Sequence, residues 1–137
     1  MRTLFVDAAY WVAMINPQDD LHDRAISISR SLDDCLFVTT EMVLTEVLNF
    51  FAERGSTPRR AAANLVQRLR QDANTRMVLQ TSAQFDEALQ LYRNRQDKQW
   101  SHTDCASFRV MENDHITEAL TYDQHFEQAG FKALLRS

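Results

Sequence analysis

The chain has 137 residues, 45% of them apolar and 25% charged, with a formal net charge of −4 and only two glycines and two prolines. That length suits one domain over residues 1–137, which buries roughly 68–70% of the surface its unfolded chain exposes. The scarcity of Gly and Pro argues against disorder and against an all-β fold dense in tight turns. The acidic balance runs against a simple nucleic-acid binder, which is usually basic, unless the acids gather in a pocket whose bound cations reverse the local field.

Leu4-Phe5-Val6 is a short β-like run. Residues 8–15 read as a helix stopped near Pro17, and residues 20–33 as a second helix with Asp20 placed to cap it. Cys35 to Val38 is a second strand candidate. Residues 41–54 form a strong helical pattern ended by Gly55. Pro58 opens another helix that runs to about Asn74. Met77-Val78-Leu79 is a third strand, and Ser82 is placed to cap a helix from 83 to about 96. Residues 102–113 read as helix and Ile116 to Leu120 as a fourth strand. A short helix over 124–129 ends at Gly130, and Phe131 to Leu135 is a candidate fifth strand. Strands alternating with helices predict an α/β/α sandwich around a parallel sheet of about five strands. Ligands of such sheets bind at the carboxyl ends of the strands.

Met1-Arg2-Thr3 leads directly into a short apolar run, and no stretch approaches the ~20 apolar residues of a membrane span. The expectation is a cytoplasmic protein without membrane contact, with Cys35 and Cys105 as reduced, buried thiols. A cysteine-based zinc site would need more Cys or His at close spacing.

Four acids stand in chemically suggestive places. Asp7 directly follows the first strand, and Asp123 follows the fourth after Thr121-Tyr122. Parallel strands would bring both to one rim, although each also suits a helix cap. Glu46 lies in a helical row between Met42 and Phe50, beside an apolar stripe, where a charge is costly unless paired or bound to metal. Asp104 heads a row with Phe108 and Met111, in a first turn where the helix dipole favours a carboxylate. Three or four converging carboxylates suit a hard cation such as Mg²⁺, which is held by oxygen ligands and substrate phosphate. Such an ion activates water for attack on phosphorus, so no His or Cys nucleophile is required.

At these residues the sequence resembles the PIN-domain family, and within it the VapC-type ribonuclease toxins. The matching segments are Leu4 to Asp7, Thr40 to Val47, Trp100-Ser101-His102-Thr103-Asp104-Cys105-Ala106, Ala119 to Phe126, and Ala129-Gly130-Phe131. The resemblance implies a PIN-like fold and an endoribonuclease that hydrolyses RNA phosphodiester bonds with Mg²⁺ or Mn²⁺. By position it implies Asp7, Glu46, Asp104 and Asp123 as the catalytic, metal-binding acids. It also implies a small antitoxin partner and a homodimer. The family commonly carries Thr or Ser after the first Asp, where this chain has Ala8. Thr121 is placed to supply a similar hydroxyl near Asp123, and Ser101 and Thr103 to cap the helix bearing Asp104.

Other features carry two readings each. Arg54, Arg59, Arg60, Arg68, Arg70 and Arg76, with Arg93, Arg95 and Lys98, either track an RNA backbone or form solvated helix faces. Tyr10, Trp11 and Trp100 either stack on unpaired bases or belong to the core. His22, His102, His115 and His125 show no close ligand pair and read as surface or capping residues, with His102 and His125 near the rim of the acid pocket. Arg109 and His115 match the short pattern of the metal-independent, all-helical HEPN ribonucleases, against which the strand-like runs count. With Gly55 and Gly130 alone, a Gly-rich phosphate loop is excluded. The remaining alternative is a PIN-like module that binds RNA or protein without cutting.

Overall fold

The computed structural model describes residues 1–136; Ser137, the last residue of the expected domain, lies outside the described residues. Five strands, β1 (Arg2–Val6), β2 (Cys35–Thr40), β3 (Thr75–Val78), β4 (Glu118–Leu120) and β5 (Lys132–Ala133), form one parallel sheet in the order β3-β2-β1-β4-β5. Helices cover both faces. They are α1 (Ala8–Ile15), α2 (His22–Ser31), α3 (Glu41–Phe50), α4 (Ser56–Gln71), α5 (Ser82–Asn94), α6 (His102–Asn113) and α7 (Gln124–Gln128). Among the described residues, no helix is long and apolar enough to cross a membrane.

The strand order contains a reversal. From β1 the chain steps outward through β2 to β3, then returns to lay β4 on the other side of β1. The connections above β1 and β4 therefore part in opposite directions and leave a crevice at the carboxyl ends of those two strands. Register makes this specific. Val6 pairs with Leu120, and the Asp7 N–H donates to the Leu120 carbonyl at 3.2 Å, so Asp7 and Thr121 emerge side by side.

The two central strands are buried on both faces, as covered parallel strands must be. Leu4, Phe5 and Val6 are fully buried, as are Ala119 and Leu120. Phe108 stands edge-on to Phe126 at 4.9 Å, and Phe5 lies 6.2 Å from Phe126. Each such ring contributes about 1.5–3 kcal/mol by leaving water. This aromatic group lies beneath α6 and α7, the helices that carry Asp104 and follow Asp123.

Several expected boundaries move, each for a local reason. α2 begins at His22 with Leu21 in the cap position and no side-chain cap, so Asp20 does not cap it; Asp19 Oδ1 accepts the Leu21 N–H at 2.9 Å in the turn before the helix. α1 does stop before Pro17, with Asn16 in extended backbone, where a residue preceding proline is forced. α3 ends at Phe50, and Gly55, at φ +101°, serves as the N-cap of α4. α4 starts at Ser56, with Pro58 in its first turn, where a missing N–H costs nothing, and it stops at Gln71. α5 is capped by Thr81 in a reciprocal pair with Gln84, so Ser82 is its first residue rather than its cap.

The strand bounds move as well: β1 and β3 begin two residues earlier than expected, β2 runs on to Thr40, and β4 and β5 shorten. β3 ends at Val78 because its partner β2 ends opposite it at Thr40, leaving Leu79 56% exposed. Ile116 is not strand. His115 takes φ +57° and the Ile116 N–H donates back to the Met111 carbonyl at 2.8 Å, closing the end of α6. β4 therefore begins at Glu118, and β5 pairs only over Lys132–Ala133.

Candidate active site

The crevice between β1 and β4 collects four carboxyl groups from four elements. Asp7 leaves the end of β1 and Asp123 the end of β4. Asp104 projects from the first turn of α6, and Glu46 from the second turn of α3. Negative charges on Asp7, Asp104 and Asp123 all raise the Glu46 carboxyl, and those on Asp104 and Asp123 raise Asp7. The four therefore share one electrostatic pocket.

Each acid is held differently. The Thr121 hydroxyl, on a fully buried residue, donates to Asp7 Oδ2 at 2.8 Å and accepts the Asp123 N–H at 3.1 Å. One side chain thus ties the two strand-end acids together, at the corner where Ala8 offers no hydroxyl. Ser101 caps α6: its Oγ accepts the Asp104 N–H at 3.0 Å, and its own N–H donates to Asp104 Oδ2 at 3.1 Å. Thr103 sits in the same first turn, but the cap is Ser101. Asp123 does cap a helix, its Oδ1 accepting the His125 N–H at 2.8 Å. Asp7 occupies the cap position of α1 but makes no side-chain cap bond; its carboxyl faces Thr121.

Glu46 differs from expectation. The buried residues of α3 are Val43, Leu44 and Val47, and Phe50 is 36% exposed. Glu46 therefore lies on the open edge of the helix, at the mouth of the pocket, rather than within an apolar row.

Protonation reflects the crowding. Burial, more than any neighbour, pushes the Asp7 carboxyl up to about 6, against the opposing hydrogen bond from Thr121. Partial desolvation and then the other three acids push Glu46 up to about 7. Asp104 is raised by burial, with the Ser101 N–H and His125 pulling it back. Among the described residues, no lysine or arginine forms an ion pair with any of the four. Desolvated like charges without a lysine or arginine partner are unfavourable as they stand, and an oxygen-rich set of this kind fits a hard divalent cation.

One residue enters the pocket that the sequence reading left at its rim. His125 Nδ1 lies 3.0 Å from Asp104 Oδ2 and 3.3 Å from Asp123 Oδ1. Asp104, Asp123 and His125 each offer an atom to a common point, all three within 4.8 Å of one another. The signal was the two-residue step from Asp123 onto α7, which turns the imidazole back toward the carboxylates. The other rim histidine, His102, instead places Nε2 3.0 Å from the Phe85 carbonyl.

Several of the remaining candidates have structural partners. Tyr10, Trp11 and Trp100 are buried core residues. Arg70 pairs with Glu41, Arg76 with Asp114 and Arg95 with Asp97. Arg54 and Arg59 bond to the carbonyls of Phe50 and Ala52. Arg109 pairs with Glu112 at 2.8 Å in a parallel-sheet fold, which removes the all-helical alternative. Beside the acids, Tyr122 is 44% exposed, with the Arg136 guanidinium over its ring at 4.9 Å.

Comparison with known proteins agrees with this architecture. The family model described as PIN domain matches residues 4–132. The crystal structure of Mycobacterium tuberculosis VapC20, described as a Sarcin-Ricin loop cleaving toxin, superposes with a TM-score of 0.83 at 26% identity, covering 93% of this chain and 95% of that one. FitAcB from Neisseria gonorrhoeae shares the fold, with a TM-score of 0.62 at 16% identity over 95% of this chain and 94% of that one. No curated protein sequence matches the chain.

Proposed function

The chain belongs to the PIN-domain family, and from that premise we propose that it is a divalent-cation-dependent endoribonuclease, the toxin of a toxin–antitoxin pair. The observation that carries this reading is the convergence of Asp7, Glu46, Asp104 and Asp123 at the β1/β4 crevice with no lysine or arginine pairing any of them among the described residues. Its nearest functional support is the likeness to VapC20 over nearly the full length of both chains.

In this reading the four acids hold Mg²⁺ or Mn²⁺ and act together in catalysis. The bound cation supplies an acidified water and charge stabilisation at the scissile phosphate. Thr121 orients Asp7 through its hydroxyl, and Ser101 fixes the rotamer of Asp104 through the reciprocal cap, with Thr103 in the same turn. Ionised Asp7 and Glu46 are needed to bind the cation, so their raised carboxyls make occupancy fall on acidification. The same proposal places the protein in the cytoplasm as a homodimer, silenced by a small antitoxin that covers the acid crevice.

The test is cleavage of a mixed RNA pool, with a sarcin–ricin loop oligonucleotide alongside, by purified protein in Mg²⁺, in Mn²⁺ and in EDTA, with Asp7→Asn in parallel. Cleavage that needs the cation and is lost in the variant supports the reading. RNA binding without cleavage, unchanged in the variant, would instead support the non-catalytic binding module.

A further inference from the structure

The cation-dependent reading names only oxygen donors, yet the pocket contains a nitrogen. His125 Nδ1 stands 3.0 Å from Asp104 Oδ2 and 3.3 Å from Asp123 Oδ1. In an octahedral site with ligands about 2.1 Å from the metal, neighbouring ligand atoms are separated by that length times √2, about 3.0 Å. Both observed separations are near that value. Each oxygen also accepts one backbone N–H, from Ser101 for Asp104 and from His125 itself for Asp123. A carboxylate oxygen has a second lone pair, so those bonds hold the oxygens in place without consuming the donor a cation needs.

The imidazole is equally well prepared. α7 begins directly after Asp123, and the residue after His125, Phe126, is fully buried against Phe5 and Phe108. That anchor fixes the direction in which His125 projects. Nδ1 shares a proton with Asp104 Oδ2 at 3.0 Å, and the side chain is 23% exposed, so on cation binding that proton would pass through solvent, leaving the ring proton on Nε2 and the Nδ1 lone pair for the ion.

We propose that His125 Nδ1 is a ligand of the cation, beside Asp104 Oδ2 and Asp123 Oδ1, and that this nitrogen biases the site toward Mn²⁺ over Mg²⁺. The inference rests on the cation-dependent reading above. Its chemical basis is ligand preference: Mg²⁺ favours an all-oxygen shell, whereas imidazole suits first-row transition cations better. Asp7 and Glu46 would supply further negative charge and oxygen donors to the same pocket.

The experiment uses the full chain stripped with EDTA and dialysed free of it. Mn²⁺ and Mg²⁺ are titrated separately by calorimetry into wild type, His125→Ala and His125→Asn, with far-ultraviolet circular dichroism as the check on folding. Electron spin-echo envelope modulation of bound Mn²⁺ reads nitrogen coordination directly. Wild type is expected to show ¹⁴N modulation, which His125→Ala loses along with about 10-fold or more in Mn²⁺ affinity. His125→Asn puts a carbonyl oxygen near the Nδ1 position and is expected to lower the Mn²⁺-to-Mg²⁺ preference without unfolding the helix. Mn²⁺ bound to wild type without nitrogen modulation would overturn the proposal. So would tighter binding of both cations to His125→Ala, the behaviour of a residue that merely neutralises the acids. Failure of wild type to bind either cation would overturn the underlying reading as well.

Discussion

Asp7→Asn should separate stability from function. The Asp7 carboxyl is raised from 3.8 to about 6, chiefly by burial. With 1.36 kcal/mol for each tenfold change in proton affinity, the ionised group costs the cation-free fold about 3 kcal/mol at pH 8. The sign follows from linkage. A folded-state value above the unfolded one gives stability that is fully present below about pH 4 and is lost as pH rises through about 6. Asparagine imitates the neutral acid and can keep the Thr121 hydroxyl bond through its carbonyl, while its amide adds a donor that costs about 1 kcal/mol if poorly paired. The net expectation at pH 8 in EDTA is a gain of about 1–3 kcal/mol, or about 3–10 °C in Tm, shrinking by about half at pH 5. Thermal unfolding by circular dichroism at both pH values reads this, and calorimetry checks that the same variant no longer binds Mn²⁺. A variant less stable than wild type at pH 8 without cation would refute the reasoning, because Asp7 would then be a favourable charge in the empty pocket.

The same linkage predicts that cation-free wild type is more stable at pH 5 than at pH 8, and that saturating Mn²⁺ abolishes the difference by holding the acids ionised; differential scanning fluorimetry across pH, with and without the ion, decides it. Thr121→Val removes the 2.8 Å bond to Asp7 and leaves the Asp123 N–H without its acceptor. It should destabilise the fold by about 1–3 kcal/mol and move the acid limb of the pH–rate profile upward, whereas an unshifted limb would remove Thr121 from the site. Phe126→Ala opens the fully buried cluster with Phe5 and Phe108; a loss of about 3–5 kcal/mol in urea unfolding is expected. Cys105 is buried, with its thiol pushed up to about 11, while Cys35 is partly exposed. A thiol reagent should label Cys35 in the folded protein and reach Cys105 only on unfolding, and equal rates would contradict the assigned packing.

Much of the architecture was legible because parallel strands covered on both faces must be short and wholly apolar. Leu4-Phe5-Val6 meets that condition and is fully buried. The strand-end acids were legible for the same reason: a charge directly after such a run has to leave the sheet at its rim. Boundaries were less so, because caps are settled by geometry that several residues satisfy in sequence. Asp20 looks like a cap, yet α2 has no side-chain cap, because Leu21 takes the cap position and Asp19 closes the turn before it. Thr81 outranks Ser82 because Gln84 completes the reciprocal pair. Ile116 looks like strand but is claimed by the closure of α6. The place of Glu46 at the open edge was hidden because Phe50, although apolar, is partly exposed. His125 was harder to read because its one signal, the two-residue step from Asp123, acquires meaning only once Phe126 anchors a five-residue helix beside the acids.

The most direct test of the four-acid reading is single-turnover RNA cleavage by the EDTA-stripped chain with Mn²⁺ titrated back, Asp104→Asn alongside, and the new ends analysed chemically. Attack by water leaves no cyclic phosphate, so the expected result is cutting that begins only with the ion, is absent in the variant, and yields ends free of 2′,3′-cyclic phosphate. Cutting that persists in EDTA, or ends bearing the cyclic phosphate, would contradict it.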